Sequence, residues 1–288
     1  MQRAAIPILS SIAPLVRPGG VWIVDIWGVM HNGAQAHAAA CDACRRYRAA
    51  GGRVVLLSNA PRPFTAVIRQ LDAIGVPRDA YDFGVTSGDA TRGLIEAMVA
   101  SGQGRPFLHI GPERDQGLFD GLDVRLAHAE AAEVVVCSGL FDDTRETPAD
   151  YASLFDGLLA RGVPMICANP DLVVERGDKL VYCAGSLAAE YAAKGGKVIY
   201  AGKPHPPIYE RTFAEIERHT GAPLRKDALI AIGDGIDTDL EGAAAAGLRS
   251  VFIASGVHVS GGLSARVLAD LFGSRDFAPI AALPALAW

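Results

Sequence analysis

The sequence predicts an α/β protein, and two observations carry that prediction. Short apolar runs alternate with longer helical patterns along nearly all of the 288 residues, which is typical of repeated strand and helix units. Half of the residues are hydrophobic but only 7% are aromatic, so Ala, Val, Leu and Ile must form most of the core. These residues are usual in parallel strands that are covered by helices.

The predicted strands are apolar runs, and most of them follow a glycine at the end of a helical pattern. Glycine tolerates the left-handed geometry of a helix end, so these positions mark where a helix stops and the next strand begins. In chain order, the predicted strands are Val21–Asp25, Arg53–Ser58, Phe107–Ile110, Val134–Cys137, Pro164–Ala168, Val198–Ala201, Leu229–Gly233 and Ser250–Ala254. Helices are predicted between most of them.

Charge and cysteine usage exclude several classes of protein. The net charge is -5 and no cluster of Lys and Arg is present, so neither a nucleic acid nor an anionic membrane is an expected partner. The five cysteines are widely spread, and no secretory signal or membrane span is visible, which favours a reducing cytoplasm. Cys41 and Cys44 lie in a helical pattern without a second pair, so we interpret them as ordinary helix thiols rather than half of a zinc site.

Two apolar runs end abruptly at an acidic residue, and together they predict a metal site. Asp25 ends the first run and Asp234 follows the run near the end of the chain, as expected at the carboxyl edge of a parallel sheet, where ligands bind. Magnesium prefers oxygen ligands and needs only a few from the protein. Asp25, Asp234, Asp239 and the backbone carbonyl of Trp27 are the candidate ligands, whereas Asp237 is less certain. The alternative is that the carboxylates are strand-end caps or ion pairs.

Four positions, with Asp25 again among them, would suit phosphate chemistry beside such a metal. Asp25 could attack phosphorus and form an aspartyl-phosphate that water later hydrolyses. Ser58 and Asn59 end another apolar run and could hydrogen-bond the transferring phosphoryl oxygens, while Lys203 could neutralise their charge. Taken singly, a Ser-Asn pair at a strand end is more often a helix-starting cap, and a Lys before Pro is usually a solvated loop residue.

Domain limits must come from topology, because no linker or internal repeat is visible. If the first and last carboxylate strands share one sheet, the middle of the chain must leave that sheet and return to it. We therefore predict a core from residues 1–87 and 199–288, with an inserted α/β domain at residues 88–198. That insertion is long enough for a small domain with its own hydrophobic core.

The order of these motifs resembles the haloacid dehalogenase superfamily. Asp25, Ser58, Lys203 and the Gly-Asp-x-x-x-Thr-Asp segment that ends at Asp239 match its four motifs in sequence, over nearly the full chain. The Asn-Pro-Asp segment at 169–171 and the Gly-Lys-Pro segment at 202–204 resemble subfamily IIA, which has a large α/β cap inserted between the second and third motifs.

The resemblance implies a Rossmann-like core, a cap domain, Mg²⁺ and Asp25 as the nucleophile. It also implies a small phosphorylated metabolite as substrate, such as a sugar phosphate, a nucleotide or pyridoxal phosphate, and a homodimer. The cap would set specificity, and Asn169 and Asp171 are the candidate substrate-binding residues there, although Asn-Pro-Asp alone would equally form a turn.

Trp27 departs from the family pattern, which places an acid-base Asp two residues after the nucleophile. An indole donates one hydrogen bond but exchanges no proton at neutral pH, and losing a positioned acid-base costs on the order of 10² to 10⁴ in rate. We therefore predict slow turnover or a bias toward good leaving groups. Trp27 could instead contact the cap or stack on a flat substrate. His31 could replace the missing acid, or it could be a loop histidine that contacts the cap or solvent.

Two functions follow from these motifs. The first is a magnesium-dependent phosphatase that acts through an aspartyl-phosphate at Asp25. The alternative is a phospho-ligand binding protein on the same fold, which Trp27 would favour, whereas the presence of Asp25, Ser58 and Lys203 together favours catalysis.

Overall fold

The computed structural model describes residues 5–101, 105–176, 179–254 and 262–288, which fold into two compact units. Unit 1 comprises Met1–Ser58, Ile68–Gly84 and Phe213–Trp288, and unit 2 comprises Asn59–Val67 and Val85–Thr212. Both units contain parallel β-sheet and helices, so the predicted α/β class is confirmed.

The strands recur along the whole of the described chain. They are β1 (Val21–Asp25), β2 (Arg53–Ser58), β3 (Phe83–Thr86), β4 (Pro106–Ile110), β5 (Arg125–Leu126), β6 (Val134–Cys137), β7 (Met165–Cys167), β8 (Val173–Arg176), β9 (Lys179–Tyr182), β10 (Val198–Tyr200), β11 (Leu229–Gly233), β12 (Arg249–Ile253) and β13 (Ala281–Leu283).

Most of the strands are followed by a helix. The α-helices are α1 (Ala38–Ala49), α2 (Phe64–Ile74), α3 (Ser87–Ala100), α4 (Ala152–Ala160), α5 (Ala184–Ala193), α6 (Pro206–Thr220), α7 (Glu241–Ala245) and α8 (Ala265–Phe272). Short 3₁₀ turns lie at Ala13–Leu15, Arg78–Ala80, Glu113–Phe119, Pro148–Tyr151 and Lys226–Ala228, and a π-turn lies at Ile236–Leu240.

The larger sheet has the strand order β13-β12-β11-β1-β2-β3, with β1 and β11 as neighbours near its centre. Both strands are buried along their whole length, and apart from Asp25 and Gly233 they consist of apolar residues, as is usual for central parallel strands. Trp22 of β1 stacks on Tyr47 of α1, with ring centroids 3.8 Å apart, which anchors the first helix to the sheet. Strands from the two ends of the chain therefore meet, as the sequence predicted.

Unit 2 contains a second sheet, with the order β10-β7-β6-β4-β5, in which all of the pairs are parallel. Its core includes Phe155 of α4 and Tyr191 of α5, whose rings meet edge to face at 5.2 Å. Strands β8 and β9 form a separate antiparallel hairpin.

The predicted strands agree with the structure to within one residue at each end. The sequence analysis missed β3, β5, β8, β9 and β13, so on these its strand prediction was wrong. These strands are short or half exposed, and they lack the long apolar run on which the prediction depended.

The predicted domain limits, residues 88–198 for the insertion, differ from the limits of the compact units. Unit 2 begins its main segment at Val85, extends to Thr212 and also includes Asn59–Val67. The limits of the independently folding domains remain a prediction.

Two smaller observations concern the cysteines and membrane spans. All five cysteines are buried and form no disulfide, and Cys41 and Cys44 lie in α1 as expected. Burial raises the pKa of the Cys41 thiol. Among the described residues, no helix combines the length and the hydropathy that a membrane span requires. His258, which we interpret as a surface or packing residue, lies outside the described residues.

Candidate active site

Three carboxylates meet at the carboxyl ends of β1 and β11, and we call them the carboxylate cluster. Asp25 is the last residue of β1, Asp234 directly follows β11, and Asp239 lies in the turn beyond it. One ligand atom from each of the three lies within 4.8 Å of the others. The parallel pairing of Val24 with Ile232 brings the two strand ends level, which places acids more than 200 residues apart in sequence at one point.

Two glycines allow the carboxylates to approach each other. Gly28 has a φ of +84°, and a Cβ there would lie 2.1 Å from Oδ2 of Asp234. A Cβ on Gly233 would lie 2.3 Å from Cγ of Asp239. Two independent reasons therefore favour glycine at position 28: its backbone is left-handed, and a side chain there would collide with Asp234.

The carboxylate cluster fits a divalent cation. Asp25 and Asp239 are each only 7% exposed, and three carboxylates this close repel one another unless a cation compensates their charge. Their oxygens are the hard ligands that Mg²⁺ prefers. Asp25, Asp234 and Asp239 would hold such an ion, and the Trp27 carbonyl remains a predicted ligand.

Asp237 lies apart from this cluster. Its side chain is exposed and forms an ion pair with Nη1 of Arg275 at 2.6 Å. Asp239, by contrast, accepts a hydrogen bond from the backbone N–H of Gly235 at 3.1 Å, which fixes its carboxylate within the turn. In this structure the side chain of Asp237 thus takes part in a surface ion pair.

Trp27 is held by its own loop. Its ring lies against Gly33, where a Cβ would come within 2.3 Å of the indole, and it meets the His31 ring edge to face at 5.4 Å. The side chain remains 37% exposed. One indole face is thus packed within unit 1, while part of the ring stays open to contact with a ligand.

His31 is buried and does not suit the role of a general acid. Burial lowers its pKa to about 4, so the ring is neutral at pH 7. Its Nδ1 accepts the backbone N–H of Gly33 at 2.9 Å, which places the ring proton on Nε2. A general acid must be protonated before it reacts, so this environment opposes the hypothesis that His31 replaces the missing acid. The ring is only 2% exposed, which argues against the contact with solvent in the alternative interpretation, whereas the contact with the cap stays a prediction.

Lys203 lies in unit 2, where Asn59 holds its backbone. Nδ2 of Asn59 donates to the Lys203 carbonyl at 3.1 Å and to Oδ1 of Asp171 at 2.8 Å, and Oδ1 of Asn59 accepts the Lys203 N–H at 2.7 Å. Both Asn59 and Lys203 are buried. Asn59 therefore positions Lys203, while its predicted contact to phosphoryl oxygens stays a prediction.

Asn169 and Asp171 join the same network in unit 2. Oδ1 of Asn169 accepts the backbone N–H of Asp171 at 3.0 Å, so the segment does form the turn that was the alternative interpretation. The side chain of Asp171 also faces Asn59. Their predicted role in binding substrate stays a prediction.

Ser58 and His205 occupy different settings. Ser58 ends β2 one position beyond Leu57, the parallel partner of Asp25, so it belongs to the same sheet edge as the carboxylate cluster. The ring of His205 stacks on Tyr200 at 4.6 Å, which indicates a packing role within unit 2. The catalytic role of Ser58 stays a prediction.

The sequence analysis missed a polar network in unit 2. Ser138 directly follows β6, and its Oγ lies 2.9 Å from Nε2 of His109 and hydrogen-bonds the carboxyl of Asp115. A signal was present, since Ser138 directly follows an apolar strand as Asp234 does. Ser138 was not selected because the sequence analysis considered acidic side chains at the ends of apolar runs, and the side chain of Ser138 is neutral.

Comparison with known proteins gives two family matches on this chain. The family described as haloacid dehalogenase-like hydrolase matches residues 22–125, and the family described as HAD-hydrolase-like matches residues 200–271. A crystal structure of a haloacid dehalogenase-like family hydrolase from Brucella suis 1330 is 43% identical, with a TM-score of 0.85. The similarity covers 97% of this chain and 100% of that one.

Two curated relatives are enzymes that act on phosphate esters. Dihydroxyacetone phosphatase from Corynebacterium glutamicum is 33% identical over 40% of this chain and 40% of that protein. D-glycerol 3-phosphate phosphatase from Mycobacterium tuberculosis is 29% identical over 82% of this chain and 63% of that protein. The chain thus matches less than two thirds of the length of these two relatives.

Proposed function

The chain belongs to the haloacid dehalogenase-like hydrolase family, and from this premise we propose that it is a phosphoric monoester hydrolase for a small phosphorylated metabolite. The carboxylate cluster is the observation that carries the proposal, because it combines a candidate nucleophile with a site for a divalent cation. The phosphatase names of the two curated relatives support the same activity.

In the proposed reaction, one carboxylate oxygen of Asp25 attacks phosphorus while the bond from phosphorus to the ester oxygen breaks. The leaving alcohol takes a proton, and Asp25 holds the phosphoryl group as an aspartyl-phosphate. Water then attacks phosphorus, the bond to Asp25 breaks, and inorganic phosphate leaves. Mg²⁺, held by Asp25, Asp234 and Asp239, would supply positive charge for the phosphoryl oxygens.

Trp27 shapes which esters react quickly. Because an indole donates no proton to the leaving oxygen at neutral pH, esters with stabilised leaving groups are expected to react faster than alkyl esters. Ser58 and the ammonium group of Lys203 would stabilise the phosphoryl oxygens in either case. We also propose that the protein is a homodimer, which a measurement of its oligomeric state in solution would test. In addition, we propose a cytoplasmic location.

The proposal is tested by phosphate release from 4-nitrophenyl phosphate, with Mg²⁺ and with a chelator. Release that requires Mg²⁺ is expected, and Asp25→Asn is expected to lower kcat roughly 10⁴-fold or more, as the loss of a nucleophile does in other enzymes. Asp237→Asn is the matched control, because it makes the same change at an exposed carboxylate of the same turn that lies outside the cluster.

Equal rates for wild type and Asp25→Asn would contradict the proposal. Tight binding of a phosphorylated ligand without release would instead favour the phospho-ligand binding protein.

A further inference from the structure

Three segments of unit 2 meet at the side-chain amide of Asn59, and we call Asn59, Asp171 and Lys203 the amide network. Asn59 directly follows β2, Asp171 lies in the turn after β7, and Lys203 follows β10. All three residues belong to unit 2. Asn59 is 112 residues from Asp171 and 144 residues from Lys203 in the sequence, so only the fold brings them together.

The Asn59 amide holds the backbone of Lys203 at two points. Its Oδ1 accepts the N–H of Lys203 at 2.7 Å, and its Nδ2 donates to the carbonyl of the same residue at 3.1 Å. Two bonds to one residue fix both its position and its orientation, as pairing with a neighbouring strand does. Because the side chain of a lysine is long and flexible, fixing its backbone limits where the ammonium group lies.

Asp171 determines which way round the Asn59 amide lies. Oδ1 of Asp171 accepts a hydrogen bond from Nδ2 of Asn59 at 2.8 Å, and a carboxylate is a stronger acceptor than a neutral oxygen. If the amide were turned over, its oxygen would face the Asp171 carboxylate and the Lys203 carbonyl, and its NH₂ group would face the Lys203 N–H. Asn59 is only 6% exposed, so such unmatched polar groups would be costly. Asp171 thus selects the orientation that holds Lys203.

The turn that carries Asp171 is itself fixed by its neighbours. Its backbone N–H donates to Oδ1 of Asn169 at 3.0 Å, and its carbonyl accepts the N–H of Gly185, near the start of α5, at 3.2 Å. A Cβ on Gly202 would lie 2.5 Å from Oδ1 of Asn59, so the residue before Lys203 packs directly on the amide. The amide network is therefore ordered before any ligand binds, which lowers the entropic cost of binding.

The charge of Asp171 favours an indirect role over a contact with phosphate. A carboxylate repels an anion, so Asp171 would weaken phosphate binding if it faced the phosphate directly. As an acceptor for Asn59 it acts on Lys203 without having to touch the phosphate. A group placed correctly by its surroundings contributes far more to a reaction than the same group misplaced by about 1 Å.

We propose that Asp171 is a positioning residue, which holds Lys203 through the Asn59 amide so that the ammonium group meets the phosphate of the substrate. This inference rests on the proposed hydrolase activity, in which Lys203 neutralises phosphoryl oxygens. It gives Asp171 a role in phosphate binding for every ester, in place of a contact with one substrate's carbon skeleton. The role is separate from the leaving-group effect of Trp27, because it does not involve proton transfer.

The first test measures the Kd of inorganic phosphate by ³¹P NMR with Mg²⁺ present. Inorganic phosphate has no carbon skeleton, so its affinity reports on the phosphate site alone. Asp171→Ala is expected to weaken binding by about 10-fold, as for the loss of one hydrogen bond to a charged group. Removing a negative charge would by itself strengthen the binding of an anion, so weaker binding identifies a loss of position. Unchanged or tighter binding would overturn the inference.

A double-mutant cycle tests whether Asp171 acts through Lys203. Lys203→Met keeps an unbranched side chain and removes the charge, so in this background Asp171→Ala is expected to change the Kd by less than about 2-fold. Equal weakening with and without Lys203 would contradict the proposed route. Asp156→Ala, which removes an exposed carboxylate of the same unit, is the control and is expected to leave the Kd unchanged.

A conservative variant separates positioning from folding. Asp171→Asn keeps an oxygen that can accept from Asn59, so it is expected to retain part of the affinity that Asp171→Ala loses. If Asp171→Ala fails to fold, as judged by circular dichroism, Asp171→Asn replaces it in the cycle, with a smaller weakening in the same direction. Phosphate affinity equal to that of the wild type in Asp171→Asn, with Asp171→Ala unfolded, would count against the inference.

Two esters distinguish positioning from recognition of the carbon skeleton. 4-Nitrophenyl phosphate and glycerol 3-phosphate share only the phosphate, so Asp171→Ala is expected to lower kcat/KM for both by the same factor. A contact between Asp171 and the carbon skeleton would instead lower kcat/KM for one ester only. A loss confined to one ester would therefore overturn the inference.

The outcomes for the two proposals are separable. If the wild-type protein releases no phosphate from any ester, the proposed hydrolase activity fails, yet the Kd values of inorganic phosphate still decide whether Asp171 positions Lys203. If release occurs and Asp171→Ala changes neither the Kd nor kcat/KM, only the positioning role fails. If the wild-type protein neither hydrolyses esters nor binds inorganic phosphate, both fail.

Discussion

The carboxylate cluster of unit 1 and the polar network of His109, Asp115 and Ser138 in unit 2 were visible in the sequence to different degrees. Asp25 and Asp234 each lie at the end of a buried apolar run, and their strands are neighbours in one sheet. Asp115 and Ser138 come from separate segments of the chain, and only Ser138 directly follows a strand. A site at the end of strands can thus be predicted from patterns, whereas a site assembled from loops requires the fold.

Of the substitutions considered, Gly28→Ala should reduce activity most, because it disturbs the carboxylate cluster of unit 1. The new Cβ would displace Asp234, whose Oδ2 lies 2.1 Å from it, and a misplaced catalytic group costs about 10²-fold in rate. We expect kcat/KM to fall by about that factor, and the Mg²⁺ concentration for half-maximal activity to rise. Activity is measured across a Mg²⁺ titration.

Gly51→Ala is the matched control for this prediction. Gly51 has a φ of +85° but no atom within 4 Å of the Cβ position, so it shares the backbone cost of about 1–2 kcal/mol without the collision. If both variants shift the Mg²⁺ titration equally, Gly28 does not position Asp234.

A smaller effect is expected from Trp27→Asp, which tests whether the absence of an acid at this position limits turnover. An aspartate at this position could protonate the leaving oxygen, so turnover of glycerol 3-phosphate should rise by about 10-fold or more relative to 4-nitrophenyl phosphate. The measurement is kcat for both esters. Trp27→Asn removes the same indole without adding a titratable group, so an equal gain in that variant would attribute the effect to space and not to proton transfer.

The smallest effect concerns one histidine in each unit. Burial lowers the pKa of His31 and of His109 to about 4, so the unfolded chain takes up protons below pH 6.5 that the folded protein does not. The free energy of unfolding is therefore expected to fall as the pH drops from 6.5 to 4, by at most about 1.4 kcal/mol per pH unit for each histidine. Above pH 6.5 neither contributes to a pH dependence.

Amide hydrogen exchange between pH 4.5 and 6.5 measures this effect separately in each unit. His31→Gln should weaken the pH dependence of the slowest amides of unit 1, and His109→Gln that of unit 2. His128→Gln, at an exposed histidine, is the control. A change of the same size in all three variants would show that burial of these two rings is not the cause.

Local sequence patterns were sufficient to predict the α/β class, most of the long strands and the three acids of the carboxylate cluster. These features follow from local patterns. A buried parallel strand needs a continuous apolar run, and ligand-binding polar residues lie at its carboxyl end. The short strands, by contrast, gave no such pattern, and the half-exposed hairpin β8–β9 was missed for that reason.

The environments of Asn59 and His31 could not be predicted without the fold. Asn59 directly follows strand β2, a position where catalytic residues are common. Its side-chain amide, however, hydrogen-bonds the backbone of Lys203, which is 144 residues away in the sequence. A histidine in water has a pKa that suits proton transfer near neutral pH, but burial lowers the pKa of His31 to about 4. Hydrogen-bond partners and desolvation depend on residues distant in sequence, so the chemistry of these side chains is set by the fold and not by their neighbours along the chain.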